Sequence, residues 1–383
     1  MKKKKIGLLF QTSPQYGGGY QYALQAVNCL VEKAETDYEI VVLCGNTYWQ
    51  KWCREKGVRF LGHPLPDISI KEQQFICRYP FLTKLWYTNF TLLGRVIRAE
   101  RIDILFSPQQ GLFIPNYNVK IISPVHDLMH RYEPGFPEVR SGFEEREIYM
   151  KCLAAYTTCV LVDSGLGRQQ FKESYMKMEA RKPYVVSLPF IVPDHIWDAV
   201  EEYVEVPEKF IFYPAQFWQH KNHINLLKAV KILRETIKDI HLVLVGSEKN
   251  YYRVVKKYIS DNELTKYVTV LGFVNNEKIT YLYKHAVGMV MPSYFGPTNI
   301  PPLEAMALGC PVAVSNKYAM PRQVGNAGLL FDPDSPDEIA DCIKRMWLDE
   351  DLRNRMKALG YKRAQKWTRK EFGERLQKIM NTV

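Results

Sequence analysis

Ten short apolar runs, each closed by a turn-forming residue and separated from the next by a polar or amphipathic stretch, constrain this chain most. KKKIGLLF reads as a buried strand, QYGGGYQ as a turn, YALQAVNCLVEKA as an amphipathic helix and YEIVVLC as the next strand, which makes a βαβ unit. DILFS, VKIISPV and TCVLVDS continue the series, with helical patterns around residues 83 to 99 and 142 to 153 between them. Runs that are apolar throughout, and separated by helices, belong to a mostly parallel sheet covered on both faces.

A second series follows the proline-marked segment LPFIVPDHIWDAVEEYVEVPEK, which lacks a clean period and reads as the connection between domains. KFIFYPA, HLVLVG, VTVLGF, VGMVMPS and PVAVS again alternate with helices. A chain of 383 residues exceeds one ordinary core, so two α/β domains are expected, each doubly wound and Rossmann-like, facing across a cleft. The boundary is expected near residue 190, giving domains 1–190 and 191–383, with the last helix free to pack back on the first domain. In such sheets ligands bind beyond the carboxyl ends of the strands.

The composition is that of a globular chain, with 46% apolar and 24% charged residues and no low-complexity tract. The eight cysteines never form C-x-x-C, and they read as reduced packing residues in a cytosolic protein. The apolar run IGLLF after the opening lysines is shorter than a signal peptide needs, and no later run is long enough to span a membrane. The expected location is therefore cytoplasmic, with peripheral attachment to the inner face of a membrane left open. A net charge of +11 calls for an anionic partner, which composition alone does not choose.

The stretch PSYFGPTNIPPLEAMALGCPV, residues 292 to 312, narrows the choice. Pro301 and Pro302 lack an N–H and suit a helix opening, where the first amides have no partners in any case. Glu304 is expected in the first turn, near the positive end of the helix dipole. Free amides ahead of that dipole, on a backbone opened by Gly296, suit an anion.

FYPAQFWQHKNHINLLKAV, HLVLVGSEKN, LGFV, this stretch and GNAGLLFDPDSPDEIADCI follow one another in an order that resembles the retaining, nucleotide-sugar-dependent group 1 glycosyltransferases of GT-B type. The resemblance is specific over residues 205 to 345 and looser in the first half, where Gly17 to Gly19 and PVHDLMHRYEPGFP carry it. It implies a metal-independent hexosyltransferase that moves a hexose or deoxyhexose from a nucleoside diphosphate to a glycan or lipid-linked acceptor, in surface polysaccharide or glycoconjugate synthesis. The sugar nucleotide is then a substrate, and no cofactor is implied.

By the same resemblance Lys221 contacts the donor diphosphate, where an ammonium would offset the charge that grows as the sugar departs. The plainer alternative is a solvated lysine ahead of a helix. Glu304 matches the second acid of the family's E-x7-E pattern, which holds the ribose hydroxyls; its alternative is an acid complementing a helix dipole. The first acid of that pattern falls at Gly296, and the arginine that usually precedes the lysine is Gln216. Backbone amides around Thr298, Asn299 and Ile300 are candidates to take over sugar and phosphate contact. His126, in the turn after IISPV, corresponds to a histidine that orients the donor sugar, with a structural histidine as the alternative. Gly18 and Gly19 lie in the loop that approaches phosphate and sugar in relatives, and are otherwise a tight turn before a helix.

His126 with His130, and His220 with His223, have spacings that raise a metal site, but neither pair has a third ligand nearby in sequence. The Gly17–Gly19 run is not G-x-G-x-x-G, which argues against a dinucleotide cofactor. FICRYPFLTKLWYTNFTLLGRVIRAER interleaves aromatics with cations, so an anionic membrane surface is a candidate partner; a core helix with a solvated face is the alternative. Zinc-finger spacing and RNA-binding aromatic signatures are missing, so nucleic acid is not expected. The competing functional readings are a non-catalytic sugar-nucleotide or glycan-binding protein of the same fold, motivated by Gly296 and Gln216, and a nucleotide-sugar epimerase.

Overall fold

The computed structural model describes residues 3–14, 17–33, 37–44, 46–62, 68–176, 183–296 and 298–383. Gln15 and Tyr16 of the glycine turn, and Pro297 of the 292–312 stretch, lie outside the described residues. The chain divides into two compact units, the first comprising Met1–Tyr132, Gly142–Pro189 and Arg369–Val383, the second Glu133–Ser141 and Phe190–Thr368.

The first unit is built on seven parallel strands: β1 Lys4–Leu9, β2 Tyr38–Cys44, β3 Phe60–Gly62, β4 Ile104–Phe106, β5 Lys120–Val125, β6 Cys159–Val162 and β7 Tyr184–Ser187. Their order is β3-β2-β1-β4-β5-β6-β7. The second unit has six, β8 Ile211–Pro214, β9 Leu242–Val245, β10 Val268–Gly272, β11 Gly288–Met291, β12 Val312–Ser315 and β13 Gly328–Phe331, in the order β10-β9-β8-β11-β12-β13. Both are doubly wound parallel sheets. In each, the chain leaves the first strand toward one edge and then returns to build toward the other, so the strand order reverses between β1 and β4 and between β8 and β11. β9, β11 and β12 are buried along their whole length because helices cover both faces of the sheet. The short strands β3, β7 and β13 were not among the ten apolar runs; each lies at or beside a sheet edge and is only partly buried.

Local sequence sets several helix starts. Gly17 takes φ 58° as the N-cap of the helix Gly18–Glu32, so Gly18 and Gly19 are helical and not part of a turn. That corrects the expected start by about one turn: Tyr20 is buried and packs against Trp49, which draws the preceding residues into the helix. The C-terminal helix Arg369–Thr382 belongs to the first unit and packs on Gly18–Glu32. Tyr38 donates to Asn381 at 2.9 Å, and Lys4 Nζ to the Met380 carbonyl at 3.0 Å.

A buried charge cluster braces the same unit. Glu147 accepts from Arg131 through both oxygens, at 2.5 and 2.6 Å, and from the Tyr175 hydroxyl at 2.5 Å, while His130 Nε2 lies 3.1 Å away. Burial would raise the Glu147 carboxyl, but the bonds from Arg131 and Tyr175 prevail and hold it near 2. His130 is thus a core residue and does not pair with His126 as a metal ligand set. The cysteine expectation needs correction too: Cys77 and Cys152 are paired by a disulfide across the packed helices Ile70–Arg78 and Phe143–Tyr156, with Cα atoms 5.4 Å apart. Seventy-five residues separate them, so no local motif announces the pair. The other six cysteines are free and buried. Among the described residues, no helix is long and apolar enough to cross a membrane.

Replacing Glu147 with alanine leaves the buried Tyr175 hydroxyl and His130 Nε2 without their shared carboxylate partner, while Arg131 still reaches solvent, so stability measured by urea unfolding should fall by about 1 to 3 kcal/mol. An unchanged midpoint would show that the cluster contributes nothing.

Candidate functional site in the second unit

The strand order reverses between β8 and β11, and the loops leaving these two strands carry most of the residues singled out from sequence. After β8 the chain runs through Gln216 to a single 3-10 turn, Gln219–Lys221, which Asn222 ends with φ 57°. The Lys221 amide donates to the Trp218 carbonyl at 3.1 Å, and its own carbonyl accepts from the buried Tyr213 hydroxyl at 2.9 Å. After β11 the chain crosses directly beside that turn. The Tyr294 amide donates to the His220 carbonyl at 2.9 Å, Ser293 Oγ donates to the Phe295 carbonyl at 2.7 Å, and the Phe295 ring stacks on His220 with centroids 4.1 Å apart. The turn carrying Lys221 and the stretch leading to Thr298, Asn299 and Ile300 are therefore one structure.

Gln323 fixes the end of that stretch. Its side-chain amide accepts from the Asn299 N–H at 3.0 Å and donates to the Asn299 carbonyl at 2.6 Å, a two-point clamp on one peptide unit. Asn299 is the N-cap of the helix Ile300–Ala307, and its side chain makes no capping bond. Thr298 and Asn299 are 7% and 8% exposed, yet Thr298 Oγ1 and Asn299 Nδ2 have no hydrogen-bond partner among the described residues. A buried polar atom left in this way costs about 1 to 3 kcal/mol, which a polar ligand would recover.

Gly296 is explained by the same packing. A Cβ built there would fall 2.3 Å from Asn299 Nδ2 and 2.4 Å from its Oδ1. The amide of Asn299 thus occupies the space in which a side chain at position 296 would begin, and an acid at 296 and an asparagine at 299 exclude one another in this conformation.

Glu304 lies in the second turn of its helix, not the first, because the helix begins at Ile300. Its Oε2 accepts from the Tyr283 hydroxyl at 2.8 Å, and Tyr283 is fully buried. Burial raises the carboxyl to about 7 against the opposing effect of that bond, so dipole compensation is not its role.

Gln216 accepts from the Trp218 indole N–H at 2.9 Å, and Lys249 Nζ lies 5.3 Å from the centroid of the Trp218 ring. A second cation therefore sits beside the glutamine that stands in the arginine position. Lys249 was in view within HLVLVGSEKN, but nothing in its spacing marked it.

Glu138 was also missed, since it is distant in sequence and reaches the second unit on the segment Glu133–Ser141. Its Oε1 accepts from the His220 amide at 2.8 Å and meets His220 Nδ1 at 2.5 Å, and Asn250 donates to Oε2 at 3.1 Å. Burial opposes ionisation, but the His220 bonds hold the carboxyl near 2. His223 has no share in this contact: it is fully buried, stacked on Phe217 at 4.6 Å, and burial depresses its imidazole to about 3. Among the described residues, no group of three His, Cys, Asp or Glu is placed to hold a metal ion. A polar cavity of about 570 Å³ opens beside the turn, lined by Glu133, Gln219, Asn225, Tyr251, Tyr294 and Asp334.

His126 belongs to the first unit, just beyond β5. Its ring meets Tyr22 edge-on at 4.7 Å, and Tyr22 in turn meets Phe372 of the C-terminal helix at 5.6 Å. The helix that starts at Gly18 and Gly19 is thereby tied to His126. Burial lowers the imidazole to about 4, opposed by Asp127, so the ring is neutral near pH 7. Two adjacent glutamines order the strand ends here: Gln109 Oε1 accepts from the Gln11 and Thr12 amides at 2.8 Å each, and Gln110 Oε1 accepts from the His126 amide.

In doubly wound sheets ligands bind at the switch point, where the second unit places the loops after β8 and β11. Residues 198–363 match the family model of the group 1 glycosyl transferases. O-antigen chain mannosyltransferase B of Escherichia coli is 29% identical over 46% of this chain and 46% of its own length. O-antigen chain mannosyltransferase RfbU of Salmonella typhimurium is 29% identical over 86% of this chain and 87% of its own. The crystal structure of Anabaena HepE with UDP and glucose superposes with a TM-score of 0.71 at 15% identity, covering 99% of this chain and all of that one. The chain is thus similar to the group 1 glycosyl transferases over residues 198–363 and has the GT-B fold.

Two outcomes follow. Gly296→Glu should cost markedly more thermal stability in the parent chain than in an Asn299→Gly background, with a coupling of about 1 to 3 kcal/mol; additive effects would refute mutual exclusion. Because the Glu304 carboxyl is raised from 4.5 to about 7, ionising it lowers folded stability as pH climbs through that interval. Glu304→Gln should therefore be more stable than the parent at pH 8 and lose that advantage toward pH 4.5. Chemical denaturation across that range checks both the sign and the window.

Proposed function

We propose that this glycosyltransferase moves mannose from a nucleoside diphosphate to a glycan or lipid-linked acceptor, with retention of anomeric configuration and without a metal ion. The observation that carries this reading is the joining of the Lys221 turn to the Thr298–Ile300 amides through the His220 carbonyl. The names of the two mannosyltransferase relatives support the sugar, and the UDP held by HepE supports a sugar-nucleotide donor.

In this mechanism the diphosphate is the leaving group. Negative charge grows on it as the bond to the sugar breaks, and only interactions that strengthen at that moment lower the barrier. The Lys221 ammonium and the Ile300 amide at the start of the helix Ile300–Ala307 offset that charge, and Lys249 adds a second cation near Gln216, which stands where the usual arginine does. Asn299 Nδ2 and Thr298 Oγ1 read sugar hydroxyls in place of the acid that Gly296 cannot supply. The Glu304 carboxyl holds the ribose diol. His126, neutral by burial, is the first unit's candidate for orienting the sugar, and Gly18 and Gly19 leave room for phosphate or sugar. Among the described residues, no side chain stands out as a covalent nucleophile.

Replacing Lys221 with alanine should lower kcat/KM by roughly a hundredfold, about 3 kcal/mol of barrier, while thermal unfolding stays near that of the parent. Turnover should survive EDTA. A panel of UDP, GDP, ADP and dTDP with their sugars identifies the base, since a ligand at 100 times its Kd stabilises by about 2.7 kcal/mol. Stabilisation by a nucleotide sugar without product from any acceptor would favour the non-catalytic binding protein, and donor conversion without an acceptor the epimerase.

A further inference from the structure

The helix Pro80–Phe90 is inside out. Its buried side chains are Thr83 and Thr88, while Phe81, Trp86 and Phe90 are 70%, 59% and 64% exposed, with Leu82 and Leu85 exposed beside them. Thr83 satisfies its hydroxyl on the Tyr79 carbonyl at 2.8 Å. The flanking helices Ile70–Arg78 and Leu92–Ala99 add Phe75 and Leu92 to the exposed set. A groove of about 500 Å³ runs between the first two helices, lined by Phe75, Ile76, Leu82, Trp86 and Tyr87. A contiguous apolar surface of this kind marks an interaction site.

The surface is held rigid from behind. A Cβ on Gly94 would fall 2.0 Å from the Tyr87 carbonyl, so only glycine lets the helix Leu92–Ala99 lie this close against Pro80–Phe90. Arg98 closes the hairpin by donating to Asn89 Oδ1 at 2.7 Å.

Charge identifies the occupant. Residues 70 to 101 contain six Lys or Arg and two acids. Glu72 lines the groove but is engaged in the Ser69 capping box, and Glu100 is paired with Lys5 and Arg59, so both acids already have partners within the chain. Lys71, Arg78, Arg95 and Arg98 are exposed around the aromatics. A second copy docked on this face would oppose cation to cation, since a two-fold contact meets itself. A bilayer bearing anionic headgroups accepts both the aromatic face and the cationic rim.

We propose that the helices from Ile70 to Ala99 form a docking surface for an anionic lipid bilayer, with Phe81, Trp86 and Phe90 at the acyl boundary and Lys84 and Arg95 among the headgroups. This deepens the lipid-linked acceptor of the proposed function by bringing the enzyme to the surface that holds such an acceptor. Vesicle binding is measured without turnover, so it fails or succeeds independently of the transferase reading.

The test is co-sedimentation of the full chain with vesicles of phosphatidylcholine, alone or in equal mixture with phosphatidylglycerol. The chain should partition onto the anionic vesicles and be released by molar salt. Lys84→Ala with Arg95→Ala should weaken partitioning roughly 25-fold, at about fivefold per charge, and Trp86→Ser with Phe90→Ser at least about tenfold, both with unchanged melting temperature. Brominated acyl chains should quench the parent's tryptophan emission more than that of Trp86→Phe, which still binds. Failure to bind anionic vesicles, equal binding by the variants, quenching that ignores Trp86, or self-association abolished by Trp86→Ser would each overturn the proposal.

Discussion

The His220 carbonyl connects the two loops that leave β8 and β11 in the second unit, and the candidate site depends on that bond. A parallel sheet delivers β8 and β11 side by side but leaves the loops beyond them independent, and loops are the part of such a fold with least to hold them. Here the Tyr294 amide bonds that carbonyl, Phe295 stacks on the His220 ring, and Glu138 takes the His220 amide and ring nitrogen from the other side. Gln323 then clamps the peptide of Asn299 at the far end. The result is one braced structure that carries Lys221 and the Thr298–Ile300 stretch together, with the Asn299 amide committed to Gln323.

Much of the fold could be read from sequence because parallel strands buried on both faces are apolar along their whole length. KKKIGLLF, VGMVMPS and PVAVS announce themselves in that way, and β3, β7 and β13 do not, being short and partly exposed at or beside an edge. The start of the first long helix was misjudged because Tyr20 is buried by tertiary contact, which local propensity does not record. The Cys77–Cys152 pair was invisible for the same reason, lying across two helices that only packing brings together.

The candidate site could be read from sequence where its residues are close along the chain. Lys221, Asn299 and Glu304 lie in stretches whose prolines, glycines and spacing mark them out. Glu138, Gln323 and Lys249 were not readable, because each acts through a residue it meets only in space: Glu138 through His220, Gln323 through the backbone of Asn299, Lys249 through Trp218. Gly296 shows the difference most clearly. In sequence it is a lost acid; in the structure it is the space that the Asn299 amide fills, so the two positions are a single alternative solution and not one defect. Glu304 likewise changes meaning, from a partner of the helix dipole to a half-buried carboxyl whose ionisation is tuned toward neutrality.

The most direct measurement is a crystal structure of this chain with a nucleoside diphosphate bound. The phosphate oxygens should lie within hydrogen-bonding distance of Lys221 Nζ and of the backbone amides of Thr298 or Ile300, with the ribose hydroxyls on Glu304. A diphosphate seated elsewhere, with Lys221 and those amides still facing water, would contradict the reading of the second unit's switch point as the donor site.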